Sequence, residues 1–426
     1  MTDLKPGYPL ANVVIGKESG PAAFGRAFGD SRYRAAAGFY EKGWSIEKAS
    51  HARTPLARRG AMQSIADRMR RVSHHLAATA IALVAACSGT ATAQTVRPVY
   101  REIGDWLIAC DNTRDCLARY APDSTRERAE VEPENIGFDI VRKAGPSGAI
   151  TVWTWAERRL DPAGFHASGA APLSLLPWRL SDDGQDAKLS GDPARRFIRA
   201  IIAAPRLVLA STGTGHLSLR GLAAVLLAMD EAQGRVGNAS ALMRPGPAPA
   251  SATPPPAPLP VVRAGPTAPA LRNPKALAAA VRKLHSGIFA AHECDREPDG
   301  EDAAYPLTTS DAIVVLGCSR YAYQTSVLVF RTPRDRPAAA MVLKLPDPPA
   351  APPADGDSVG EYIEGGYDPD TRIFREFVKG RGIADCGSAT EWTFDGKAFR
   401  VSAFQWQARC GGTMPGDWPV LYRTRR

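Results

Sequence analysis

The chain has 426 residues, 44% of them hydrophobic and 23% charged, with 36 Pro and 38 Gly. That balance excludes wholesale disorder, a collagen-like repeat and a coiled coil, and the length is that of two domains or three. The net charge of +9 is no nucleic-acid footprint: residues 1–93 carry 13 basic against 6 acidic residues, while the remainder stands at 40 against 38.

Residues 1–61 show neither an amphipathic period nor a repeat, and are expected to be a disordered extension or to precede the true start at Met62 or Met69. Residues 62–93 follow the order of a secretory signal. Arg68, Arg70 and Arg71 precede the apolar run Leu76 to Ala86, and Ala91-Thr92-Ala93 supplies a small-residue cleavage site. The run is too short to span a bilayer. Val84-Ala85-Ala86-Cys87 also resembles a lipobox, so Cys87 is either lipidated or removed, with cleavage after Ala93 slightly favoured. The expected location is periplasmic or secreted, or else membrane-anchored through that lipid, with no transmembrane span in the mature protein.

The expected fold class is α+β, in two disulfide-stapled domains joined by a Pro-rich linker. The first, 94–244, places strands at Trp106 to Ala109 and Ile150 to Trp155 by residue type. Asp192-Pro193 opens a helix carrying Phe197, Ile198, Ile201 and Ile202. A second helix covers Leu222 to Ala232, with Leu222, Val225, Leu226 and Met229 on one stripe. Eleven Pro in residues 245–274 prevent helix or sheet and favour an extended spacer. The second domain, 275–426, starts with a helix at Pro274 to Leu284 and is then mostly antiparallel strand. Strands are expected over Ile313 to Leu316, Ser326 to Phe330, Met341 to Leu345 and Ile373 to Val378. Asp395-Gly396 reads as a two-residue hairpin turn that sets Phe394 opposite Lys397 and Trp392 opposite Phe399.

Six cysteines follow Cys87, two in the first domain and four in the second, an even count that reads as a disulfide framework in an exported chain. Cys110 and Cys116 lack ligand or redox spacing and fit a small structural loop. Of three possible connectivities in the second domain, the hairpin favours Cys386 with Cys410, which leaves Cys294 for Cys318.

Residues 94–426 contain no H-E-x-x-H, S-x-x-K or P-loop, no G-x-S-x-G nucleophile elbow is expected, and no two of their four His stand at ligand spacing. No metal or cofactor is expected; Asp295 to Gly300 imitates a calcium loop but has Pro306 where position twelve needs Glu. Two binding candidates stand beside structural alternatives. Gln233 and Arg235 follow a helix end, where Gly234 suits a cap. Lys379 and Arg381 alternate with glycines in a loop that could receive an anionic envelope component.

Gly104-Asp105-Trp106, Cys110 to Cys116, Leu217 to Leu222, Asp230 to Arg235, Lys379 to Gly387, the Trp392 hairpin and Trp418 to Arg423 together resemble the family called domain of unknown function 1176. The first half is also distantly similar to invasion-associated locus B proteins. The resemblance implies an exported envelope protein of Gram-negative bacteria and transfers no catalytic residue. Ala384 stands where similar sequences often carry Gly. The expected function is a non-enzymatic binding or interaction module for an unidentified envelope component or protein, the alternative being an unrecognised hydrolase of envelope material.

Overall fold

The computed structural model describes residues 96–122, 136–170, 173, 176–209, 216–295, 302–351 and 359–426. The extension 1–61, the signal-like segment 62–93 and Cys87 lie outside the described residues. The fold is α+β and mostly antiparallel strand, stapled by three disulfides. Among the described residues no helix is long and apolar enough to cross a membrane.

The first half is built on β1 (Val99–Ile103), β2 (Trp106–Cys110), β3 (Cys116–Tyr120), β4 (Ile136–Arg142), β5 (Ile150–Ala156), β6 (His166–Ala167), β7 (Arg179–Leu180), β8 (Asp186–Ser190), β9 (Arg206–Val208) and β10 (His216–Ser218). Seven of these form one antiparallel sheet, β1-β2-β3-β4-β5-β8-β7, and β10-β9-β6 form a small second one. Two helices, α1 (Asp192–Ile201) and α2 (Leu222–Ala232), follow the apolar spacing of their sequences. They press Phe197, Ile198, Val225 and Leu226 onto Trp106, Ile108 and Phe138. All five residues of β2 are buried. A strand covered on both faces reads as an unbroken apolar run rather than an alternation.

In the second half, α3 (Pro274–Leu284) and α4 (Ser286–Ala291) cover one face of a sheet made of β11 (Ala303–Pro306), β12 (Asp311–Arg320), β13 (Thr325–Pro333) and β14 (Met341–Val342), with β15 (Glu361–Ile363) also on β13. Asn273 caps α3 by accepting from Ala276 N, and Pro274 sits in its first turn. The other face packs on a five-stranded sheet of β16 (Gly366–Asp368), β17 (Ile373–Lys379), β18 (Gly387–Phe394), β19 (Phe399–Gln407) and β20 (Val420–Arg423). Ile313, Val315 and Val329 meet Phe374, Trp392 and Phe394 in that shared core.

Two local expectations need correction. Phe394 faces Phe399 and Trp392 faces Val401, so the hairpin is two residues longer than a tight Asp-Gly turn allows. The Asp395 carboxylate accepts from both Lys397 N and Ala398 N, closing a wider loop in which only Gly396 of the pair takes a positive φ, 99°. Strand β14 ends at Val342 rather than Leu345: Leu343 N still reaches Val329 O in register, but Leu345 N leaves the ladder for the Tyr362 hydroxyl.

All described residues fall in one unit, 93–426. The outer face of β2, through Leu107 and Ala109, packs on Phe404 and Leu421 of β19 and β20. Arg119 on β3 donates from Nε and Nη2 to Asp139 (2.8 and 2.7 Å), and its Nη1 donates to Gln407 Oε1 (3.3 Å) and Asp417 O (2.8 Å). The Pro-rich segment between the halves is bonded along both: Ala257 N to Thr113 O, Gly265 N to Phe394 O and Val262 N to Arg425 O.

Removing one member of a buried ion pair strands the other without water. Arg119→Ala is therefore expected to lower unfolding stability by about 3–5 kcal/mol. Urea unfolding followed by tryptophan fluorescence reads this, and a loss below about 1 kcal/mol, the surface-pair range, would disprove it.

Candidate functional site

The residues singled out from the sequence are each bonded within the fold. Gln233 and Arg235 are fully buried beyond α2. Gln233 Nε2 donates to Arg114 O and Arg142 O, and its Oε1 accepts from Arg235 Nε. The Arg235 fork continues to Ser240 Oγ, Thr253 Oγ1 and Gly145 O, so its donors face protein throughout. In the glycine loop, Lys379 Nζ donates to Tyr323 O (3.2 Å). Arg381 makes a two-point pair with the buried Asp385, whose Oδ2 also accepts from Gly412 N (2.8 Å). Hydrogen bonding to Arg381 and Gly412 outweighs burial and holds that carboxyl below its ordinary range. The Cys386–Cys410 disulfide ties the same corner, and the other bonds join Cys110 to Cys116 and Cys294 to Cys318. Among the described residues one group of metal-type side chains converges, Asp385 with Cys386 and Cys410, and its two sulfurs are bonded to each other.

The better candidate is a cleft of about 270 Å³ between the sheet β17-β18-β19 and the segments Lys344–Pro348 and Val359–Tyr362. Strand register builds its floor. Glu376, Thr390 and Phe404 stand in one row across the three strands, and Ser388 pairs with Trp406 in the next. Period-two alternation puts Phe374 on the same face as Glu376, so the carboxylate sits at the mouth of an aromatic core that includes Trp392 and Tyr362. Little of this site could be read from local sequence, because its walls come from five separate stretches of chain.

The cleft's polar groups divide sharply. Trp392 Nε1 donates to Pro346 O (2.7 Å), and the Tyr362 hydroxyl donates to Leu343 O (3.0 Å) while accepting from Leu345 N (2.7 Å). Burial pushes the Tyr362 phenol up to about 12, so it stays protonated at neutral pH. Trp406 stacks on Tyr100 at 4.2 Å. Glu361 is approached by Tyr321 Oη (3.3 Å) and His292 Nδ1 (3.5 Å). Glu376 Oε1 accepts from Ile363 N (3.1 Å). Burial pushes the Glu376 carboxyl up to about 7, against the smaller pull of that N–H.

Contrary to the expectation from sequence, Gly356-Asp357-Ser358-Val359-Gly360 spells G-x-S-x-G, and its last two residues line the cleft. A nucleophile elbow of that spelling joins a strand to a helix. Here Gly360 leads into strand β15, and Ser358 lies outside the described residues.

The chain matches, over residues 100–425, the family described as "Protein of unknown function (DUF1176)". It is 27% identical over 350 residues to "Uncharacterized protein YpfG" of Escherichia coli (strain K12), covering 77% of this chain and 94% of that protein. No solved structure matches it.

Two outcomes follow from the geometry. A carboxyl whose folded pKa is raised binds its proton more tightly when folded, so it is least costly below the unfolded value and increasingly costly as pH climbs toward 7. Glu376→Gln should therefore gain roughly 2–4 kcal/mol over the parent at pH 8 and almost nothing at pH 4; equal urea midpoint shifts at both pH values would refute this. Ala384 holds φ 59°, a left-handed backbone that suits Gly. Ala384→Gly is expected to raise stability by about 1 kcal/mol in the same assay, and a loss would be the contrary result.

Proposed function

Since the chain belongs to the DUF1176 family, whose description states no activity, we propose that it is an exported, non-enzymatic binding module of the cell envelope, with the cleft beside Glu376 as its ligand site. The observation that carries this reading is the cleft's composition: aromatic walls and one carboxylate with a displaced pKa. An acid–base enzyme needs two groups of complementary protonation in one pocket. The other perturbed group lining the cleft, Tyr362, has its hydroxyl engaged by backbone on both sides and holds its proton to about 12.

Three disulfides support an oxidising compartment, which fits the signal-like order of residues 62–93. The intact mass of the mature protein from fractionated cells tests location. A chain starting at Gln94 is the expected result, a diacylated Cys87 would place it on the membrane, and an unprocessed chain starting at Met1 would overturn export. For the binding role, purified protein incubated with peptidoglycan fragments and ester substrates is expected to release no product. Turnover abolished by Glu376→Gln would replace the binding module with the hydrolase.

A further inference from the structure

The cleft's hydrogen-bond inventory is lopsided. Its strongest fixed donors, Trp392 Nε1 and Tyr362 Oη, are engaged by Pro346 O and Leu343 O. Three carboxylates, Asp347, Glu361 and Glu376, line it against one ammonium, Lys344. A carboxylate accepts and does not donate, and an ammonium donates and does not accept. A lining rich in acceptors and poor in donors complements a ligand group that only donates. The aromatic side chains beside it add a second preference, since ring faces attract cations. Glu376 is the oriented anchor: one oxygen is held by Ile363 N, which fixes the carboxylate's direction without neutralising it.

Resting on the cleft as the ligand site, we propose that its ligand carries an organic cation, an alkylammonium or guanidinium group, whose charge pairs with Glu376 while its apolar stem lies along the aromatic wall.

The pairing has a pH signature. Glu376 is half-protonated near pH 7, so raising the pH from 6 to 8 takes it from mostly neutral to mostly charged. The charged or titratable groups that share the lining are Lys344, Asp347, Glu361 and Tyr362. Strands β18 and β19 face it with Ser388, Thr390, Trp392, Phe404 and Trp406, none of which titrates in this range. Behind Glu361 stand Tyr321 and His292.

Three probes with one stem isolate the head group: pentylamine, 1-pentanol and pentanoate, titrated against the full mature chain by calorimetry. Pentylamine should bind best, roughly tenfold tighter at pH 8 than at pH 6, while staying fully protonated itself. Glu376→Gln should erase both the pH step and the preference over pentanol; His292→Gln and the surface control Glu231→Gln should keep both. Ser388→Phe, which plugs the floor, should block all three probes, and urea midpoints confirm that each variant folds. If pentanol or pentanoate binds as well as pentylamine and Ser388→Phe blocks them, the cleft is a ligand site and the cation is wrong. If no probe binds, or if Ser388→Phe changes nothing, the cation proposal fails together with the cleft reading it rests on.

Discussion

A guanidinium removed from water must place each of its N–H groups on an acceptor or lose several kcal/mol. Among the described residues four such groups are buried, Arg119, Arg142, Arg235 and Arg372, of whose donors the Nε of Arg142 and of Arg372 stay without an acceptor, and their positions dictate much of the rest. Arg119 ties β3 to Asp139 and to the chain three hundred residues later. Arg142 binds Asp230 and Ser240 O, fastening β4 to the end of α2 and the loop after it. Arg372 reaches back to Leu307 O between the two second-half sheets, with Phe394 beneath its charge at 5.1 Å. Apolar contact alone would tolerate sliding of one layer on another; forked donors with fixed acceptors do not. The layers are therefore registered by arginine and filled by aromatics.

The motifs that carry the family resemblance prove to be these fasteners. Gly104-Asp105-Trp106 meets Leu217 to Leu222: Asp105 pairs with Arg220, Trp106 Nε1 donates to Ser218 O, and a Cβ on Gly221 would lie 1.9 Å from Ile103 O. Cys110 to Cys116 meets the closing strand, where Arg423 pairs with Asp111 and Asp115 and Asn112 bonds its backbone in both directions. Asp230 to Arg235 closes the base of α2. A family recognised by such residues is recognised by how it is held together. That explains why the same residues said so little about chemistry.

What the sequence made legible follows the same division. Helices α1, α2 and α3 stand where apolar spacing or a proline start puts them, since each is a local pattern. Strands β2, β5, β12, β13 and β17 were visible as β-branched and aromatic runs. Register was less legible. A side-chain bond from Asp395 widened the hairpin loop, and a bulge after Glu391 shifted the pairing again, neither of which residue type reveals. The cleft was hardly legible. Glu376 lies in a strand that reads as ordinary, and only the rows set by β18 and β19 bring Thr390 and Phe404 beside it. Gln233 and Arg235 drew notice as polar residues at a helix end, but their burial depends on the Gly145 turn and on Thr253, far off in sequence.

The fastening of the first strands by the last ones has a consequence in time. Asn112 N bonds Leu421 O, Arg425 N bonds Pro260 O, and Arg423 holds the loop between Cys110 and Cys116. A chain delivered amino end first can form its opening sheet early, but one face of β2 stays bare until the final strand arrives. Contacts of such long sequence separation make folding slow and leave apolar surface uncovered in the interval. Leu107 and Ala109, sealed in the finished molecule, are thus the surface a growing chain exposes longest. A ribosome that stalls near residue 420 would leave a nearly complete protein with one face of its second strand still open to proteases and to aggregation.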